Sequence, residues 1–464
     1  MHFLVLFTLL SSLVFAERQT WFELESESKR RSLKFSAFLK DSILYYDLPQ
    51  GHQYHHLYFG DFEARGRLIP AIDYRVQARV FTEHTDAPIY VHPYEPYLGL
   101  AYNQQSETQR TFDYLMSRVD YTGQDYEIHL ALDSLRTGPS YRNPLVFSGL
   151  HSPWRPLDLQ DSSIHLNLPV FYFGFSFPLS FLNYEHDNGM LRHQKELGKY
   201  FHTHLIAANW KGLKVGIRET VIYGSTTHEQ ELDSTFTFIG DRNWEPLYLL
   251  PFAPFFILEH YIGDQDNVTI ALELSYQRQE WRFWNEWLID DLKAPGQLFS
   301  NDWWGNKYAF TLGASFTTET EKPEDLQNRF LVEFARIEPW VYTHNKGGGF
   351  QFSHFGQPLG SNLGPNSMEL FAEYKLSNHA FALEMPFTWV RKGLDFGSNL
   401  TDIHMFGDPE DKEWLADGQF EEWMFLGIAG QWQVTNWLNI ELGIEKDLLN
   451  SEGLLLRTGV TAGY

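Results

Sequence analysis

The chain has 464 residues, long enough for two or three ordinary domains or for one large β structure. It is 43% hydrophobic and 17% aromatic, contains no cysteine, and carries 36 Lys and Arg against 60 Asp and Glu, a net charge of −24. These values exclude a disulfide framework and a thiolate metal site, and they disfavour nucleic acid as a partner, because binding it relies on neutralising phosphates.

The first residues, MHFLVLFTLLSSLVFA, hold an apolar stretch from Phe3 to Leu10, with Val14 and Ala16 at −3 and −1 of a cleavage site. The pattern predicts a secretory signal peptide over 1–16 and one exported domain over 17–464. No later stretch reaches the roughly 18 apolar residues of a transmembrane helix. Ser106 and Gln109 have capping-box spacing, which predicts a short helix running to Arg118. Ile128, Leu130 and Leu132 alternate around His129, a strand pattern. Residues 247–264 are apolar but interrupted by Pro251 and Pro254, so they suit a loop folded into a lumen or over its mouth.

From residue 268 onward the dominant signal is strict alternation in segments of about ten residues. Val268, Ile270, Leu272, Leu274 and Tyr276 share one face, and Thr269, Glu273 and Ser275 the other. Tyr308 to Phe316, Phe330 to Phe334, Phe381 to Trp389, Met424 to Val434 and Leu438 to Ile444 repeat the pattern. It continues through Leu454, Leu456, Val460 and Ala462 to a terminal Tyr464. Soluble sandwich strands average about five or six residues, whereas strands of about nine to eleven cross a bilayer when tilted. The connections also alternate in length: 435–436, 377–378, 277–279 and 210–212 are short, while 392–422, 338–368, 291–306 and 223–267 are long, and 319–328 is the one short-side connection longer than the rule prefers. Short periplasmic turns alternating with long outer loops define the expected fold class: an all-β transmembrane antiparallel β-barrel with small helical segments, in the outer membrane.

Several blocks together resemble the Wzi family of capsule assembly outer-membrane proteins. In LRTGPSYRNPLVFSG these are Gly138-Pro139, Arg142-Asn143, Leu145 and Ser148; the family usually has Trp where this chain has Thr137. KYFHTHLIAANWKGLKVGIRETVIYG (199–224), the Asp290-Asp291 pair in NEWLIDDLKAP, and Gly364-Pro365-Asn366-Ser367 in LGSNLGPNSMEL follow in the family's order. The resemblance covers roughly residues 130–376. It implies a barrel of about 18 strands, a small periplasmic helical region and a lectin-like role in attaching capsular polysaccharide. Its expected partners are that polysaccharide, outer-membrane lipid and the barrel-assembly machinery, to which such barrels show a terminal aromatic. Between Ala16 and Leu33 this chain has no room for a helical bundle.

Chemistry-bearing residues separate into catalytic and binding candidates. Asp290-Asp291, preceded by Glu286, offers carboxylates for glycoside hydrolysis or a hard cation. Adjacent strand residues point to opposite faces, so the pair reads better as the end of a lumen-facing polar row with Arg282 and Glu286. His202 and His204 have the spacing of a metal pair but no third ligand nearby, and no metal or cofactor is expected. Sugar rings stack on aromatics and take hydrogen bonds from polar side chains. Trp303, Trp304, His344, Lys346, Phe350 and Trp414, all on long connections, are therefore the candidate polysaccharide-binding residues. Lys346, Arg391 and Lys392 could meet an acidic glycan. A non-enzymatic lectin-like anchor is the expected function; a porin or transporter for small solutes, and an outer-membrane enzyme acting on glycan or lipid, are the alternatives.

Overall fold

A computed structural model of the chain describes residues 24–25, 32–48, 51–85, 101–106, 108–149, 170–192, 198–224, 242–263, 266–291, 300, 302–344, 349–354, 357–404, 407–408, 410–412, 418–449 and 454–463. The strands are β1 (Leu24–Glu25), β2 (Ser32–Leu48), β3 (Gly51–Ile69), β4 (Ile72–Thr85), β5 (Ala101–Ser106), β6 (Gln109–Thr122) and β7 (Glu127–Asp133). They continue as β8 (Val170–Leu179), β9 (Leu182–Arg192), β10 (Gly198–Trp210), β11 (Leu213–Gly224), β12 (Asn267–Arg278), β13 (Trp281–Asp291), β14 (Lys307–Thr317) and β15 (Gln327–Ile337). The remainder are β16 (Ser353–His354), β17 (Gln357–Pro358), β18 (Ser367–Ser377), β19 (Phe381–Gly393), β20 (Phe420–Thr435), β21 (Leu438–Asp447) and β22 (Leu454–Gly463). Among the described residues one α-helix, α1 (Phe255–Ile262), follows a 3-10 turn at Pro246–Leu249.

Among the described residues twenty strands share one antiparallel sheet, and β16 and β17 form a separate hairpin. Leaving aside β1 and β5, each of which flanks a single neighbour, the other eighteen follow one another in pairing order. The order returns to its start because β2 pairs with β22, from Phe38 opposite Gly463 to Asp47 opposite Leu454. Closure leaves each of these eighteen strands with a partner on both sides, which is the requirement for strands in a bilayer.

The faces are distributed inside-out relative to a soluble protein. On β12, Leu272 and Leu274 are 46% and 40% exposed, while Thr269, Ala271 and Glu273 at the alternate positions are buried. On β14 and β15, Leu312, Phe330 and Val332 are exposed, whereas Thr311, Leu331, Glu333 and Ala335 are buried. The exposed apolar rows form the lipid face and the polar rows line the lumen. The connections 180–181, 211–212, 279–280, 318–326, 378–380 and 436–437 join strands at one end of the barrel, and the strands joined through 225–266, 292–306, 338–366 and 394–419 meet at the other. The short-turn end is periplasmic and the long-loop end extracellular. This is the alternation expected from the connection lengths.

One expected element is replaced. Residues 106–118 do not form a helix: Gln109–Thr122 is strand β6, paired with β4, β5 and β7. Leu115 and Val119 face outward, and Met116 is buried inside. Continuous cross-strand pairing outweighs a local capping signal. Tyr464 and the expected signal segment lie outside the described residues.

Leu312→Arg, in mid-strand on the lipid face, should lower stability in lipid vesicles by about 2–4 kcal/mol. Urea unfolding followed by tryptophan fluorescence measures it, and unchanged stability would remove that face from the bilayer.

Candidate functional site

Beyond Asp133 the chain does not stand away from the barrel as an outer loop. Residues 134–149 turn inward and are held on the inner faces of distant strands. Gly138 makes the entry possible: its φ is +79°, and a Cβ there would lie 2.7 Å from both carboxylate oxygens of Glu286. Glu286 accepts from Ser140 Oγ at 3.0 Å and from the Leu145 amide at 3.2 Å. Glu333 on β15 accepts from the amides of Tyr141 at 2.6 Å and Asn143 at 2.8 Å, and from Trp284 Nε1 at 2.8 Å. Glu369 on β18 accepts from Arg142 Nε at 2.8 Å and Asn143 Nδ2 at 2.6 Å. Gly313 on β14 leaves the space that Trp284 fills, since a Cβ there would lie 2.1 Å from the ring.

The apolar part of the inward segment completes the arrangement. Leu145, Val146 and Phe147 are at most 1% exposed and share one core with Tyr172, Phe201, Ile222, Ala271, Leu288, Ala309 and Val390 from the surrounding wall. Segment 338–366 packs over it. Tyr342 donates from its hydroxyl to the Leu145 carbonyl at 2.9 Å, and Ser361 Oγ donates to Asn143 Oδ1 at 2.8 Å. Burial holds the Tyr342 phenol above its ordinary pKa, so it remains a donor. Trp340 and Tyr342 adopt left-handed φ values of 71° and 72°, conformations that cost about 1–3 kcal/mol each and persist only where surrounding contacts fix them.

The structure thus brings Gly138, Pro139, Arg142 and Asn143 together with Ser361 inside the lumen. Pro139 contributes its carbonyl to Arg282 Nη2 at 2.7 Å. Gly364, Pro365 and Asn366 build the adjoining corner: Gly364 has φ +66°, Asn366 has φ +53°, and Asn366 Nδ2 donates to Ser398 Oγ at 2.7 Å. Lys392 donates to the carbonyls of Leu363, Pro365 and Ser398, so its ammonium is used by the corner and not offered to a glycan. Arg391 lies 4.1 Å from the Phe420 ring and 3.0 Å from Glu422.

Asp290 and Asp291 diverge as the strand geometry requires. Asp290 is inside, accepting from the Tyr342 amide at 2.7 Å and lying 3.6 Å from Lys307 Nζ, whereas the Asp291 side chain is 48% exposed. Asp290 is sealed beneath Tyr342, which prevents the two carboxylates from flanking one substrate. His202 and His204 face the lumen, bonded to the Tyr223 hydroxyl at 3.1 Å and Glu219 at 3.0 Å. Among the described residues no group of three or more His, Asp or Glu could hold a metal ion.

At the extracellular end, Trp304 stacks on His404 with ring centres 4.1 Å apart and an interplanar angle of 5°, and meets the edge of Trp340 at 5.3 Å. Trp303 sits 6.0 Å from Trp304, and both are half-buried. Lys412 ties this group down: it lies 3.4 Å from Glu338 and donates to the Asn306 carbonyl at 2.7 Å, and burial pulls its pKa down to about 8. His344 lies 5.5 Å from Phe350. Phe350 itself is 0% exposed, in a second cluster with Val221, Tyr223, Tyr248 and Phe255, so its ring packs the mouth and is closed to a ligand. Residues 246–262 cap the same cluster; this is the apolar stretch expected to fold into the lumen or over its mouth. Lys346 and Trp414 lie outside the described residues.

Sequence reasoning missed Glu333 and Glu369 as anchors and Trp340 and His404 as mouth residues. The glutamates showed only as polar positions in alternating strands, while Trp340 and His404 lie on irregular loops without a periodic signal.

The closed antiparallel ring with its apolar outer face defines a transmembrane β-barrel of the outer-membrane class. No protein-family model and no curated protein matches the chain. Among solved structures it is similar to Wzi of Escherichia coli, described as an outer membrane protein involved in group 1 capsule assembly and a carbohydrate binding β-barrel. The TM-score is 0.53 at 9% identity, covering 92% of this chain and 83% of that one. A BenF-like porin from Pseudomonas fluorescens Pf-5 gives TM-score 0.47 at 9% identity, covering 96% and 100%. Pseudomonas aeruginosa OccK7 gives 0.44 at 11%, covering 93% and 98%.

Removing two anchors should open the barrel. Glu333→Ala combined with Glu369→Ala strips acceptors from a buried loop, and each stranded donor costs about 1–3 kcal/mol. In planar bilayers the double variant should give steady conductance where the parent barrel is silent; a silent double variant contradicts the anchoring role.

Proposed function

We propose that this barrel is a non-enzymatic, lectin-like protein that holds capsular or another surface polysaccharide at the cell surface and assists capsule assembly. The observation that carries the reading is the shelf of Trp303, Trp304 and His404 at the extracellular mouth, backed by the buried Trp340, above a lumen occupied by residues 134–149. Aromatic faces give a sugar chain large contact area at low entropy cost, and a shelf fixed by stacking is preorganised for it. The carbohydrate-binding description of the structure similar in fold supports the reading. Trp303 and Trp304 are the principal contacts in this proposal, with His344, Lys346 and Trp414 on adjoining loops and Phe350 as a packing support. Catalysis has no counterpart in it, since Asp290 is enclosed and Asp291 points away.

One observation favours solute passage as a second reading. On β3 and β4 the alternation turns Arg65, Arg67, Arg75 and Arg79 inward, with side chains 65%, 47%, 43% and 29% exposed and paired with Glu63, Asp73, Asp133 and Asp61. Steady conductance of the parent barrel would favour that reading.

Purified barrel should retain capsular polysaccharide from the producing cell on a pull-down, and Trp303→Ala/Trp304→Ala should reduce the bound fraction about tenfold. Retention unchanged by the double substitution, with the barrel still folded by heat-modifiable gel mobility, would contradict the shelf as the site.

A further inference from the structure

The inward segment leaves a second concavity at the opposite end of the lumen. A cavity of about 360 Å³ is lined by Arg136, Gly138 and Pro139 from the segment and by Glu185, Asp187, Lys214, Arg218, Glu273, Ser275 and Arg282 from the wall. Lys214 lies beside the 211–212 turn, Glu185 follows the 180–181 turn, and Ser275 and Arg282 flank the 279–280 turn. The cavity therefore belongs to the periplasmic half of the barrel, away from the tryptophan shelf.

Its charges are sorted in space. Arg218 is paired with Glu273 at 2.6 Å and approaches Glu185 at 3.5 Å, Lys214 lies 3.6 Å from Glu185, and Asp187 is bonded to His129 at 2.7 Å. Arg136 and Arg282 differ. Among the described residues neither has a carboxylate within salt-bridge distance: Arg136 donates to the carbonyls of Ser140, Tyr141 and Ser148, and Arg282 to that of Pro139. Carbonyl oxygens orient a guanidinium without neutralising it, so two fixed cations with donors to spare face the space. The wall opposite presents carboxylates that accept hydroxyl protons.

We propose that this cavity is a periplasm-facing site for a single sugar-acid unit, its carboxylate held by Arg136 and Arg282 and its hydroxyls donating to Glu185 and Glu273. A guanidinium matches a carboxylate through parallel N–H donors, and a polar cavity of this size lies within the range of small-molecule sites. A plain anion would satisfy the arginines but leave the carboxylates facing it, which repels it; a neutral sugar would leave the arginines unmatched. The site is independent of the polysaccharide shelf and stands or falls separately.

Binding of methyl glucuronoside, methyl glucoside and acetate to the detergent-purified barrel tests this by titration calorimetry. The glucuronoside should bind at least tenfold more tightly than either comparator, and more weakly as salt is raised. Arg282→Gln should weaken it on the order of tenfold, and Ser275→Trp, which fills the cavity without touching the held segment, should abolish binding. Trp303→Ala/Trp304→Ala should leave this affinity unchanged, which separates it from the surface-polysaccharide reading. Equal binding of acetate or glucoside, no glucuronoside binding, or full binding by folded Ser275→Trp protein would overturn the proposal.

Discussion

Buried carboxylates that capture backbone amides set the character of this barrel. Eight strands enclose a space that side chains can fill, but rings of about 16 to 18 strands are wide enough to carry water. A segment that enters such a lumen brings unpaired N–H groups with it, and each needs a partner. Glu286, Glu333 and Glu369 supply acceptors at successive positions around the wall, so Tyr141, Asn143 and Leu145 enter without stranding their amides. Only then do Leu145, Val146 and Phe147 form a hydrophobic core inside a protein whose outer surface is also apolar.

The rest of the molecule is arranged around that core. Segment 338–366 lies across it, Tyr342 clamps it through Leu145, and the next turn presents Trp340 to Trp304 and His404. The left-handed conformations of Trp340 and Tyr342 are sustained because Trp340 packs against Trp304 and His404, and the Tyr342 hydroxyl is bonded to Leu145 and Ser361. The mouth is therefore fixed from beneath, which favours recognition by a preorganised surface over recognition by loops that must order on binding. Below the core, the same inward segment turns Arg136 toward the periplasmic half, so one stretch of chain shapes both ends of the lumen.

Much of this architecture is legible in the sequence, for a physical reason. Period-two alternation records lipid against lumen at every residue, and Leu272, Leu312 and Val332 lie on the outer face where their pattern puts them. Connection lengths indicated the topology because the longest connections gather at one end of the barrel. The misread stretch, 106–118, shows the weakness of local signals: a capping spacing at Ser106 and Gln109 competes with pairing to β4 and β7, which no window reveals. The held segment was visible only as a conserved-looking block of residues such as Gly138 and Asn143 within the resemblance, not as a plug. Its partner Glu333 lies 190 residues from Asn143, and an isolated glutamate between apolar neighbours carries no mark of what it will bind. Phe350, read as a surface aromatic beside three glycines, instead belongs to a packed cluster, because aromatic content alone does not separate stacking surface from core.

On the proposed reading, the segment held in the lumen and the aromatic shelf above it serve to retain a polymer at the surface. Deleting the gene in the encapsulated host and comparing cell-bound with shed polysaccharide tests that claim most directly. The account predicts undiminished synthesis with the polymer moved from the cells into the medium, restored by the intact gene. Polysaccharide that stays cell-bound in the deletion strain would contradict it.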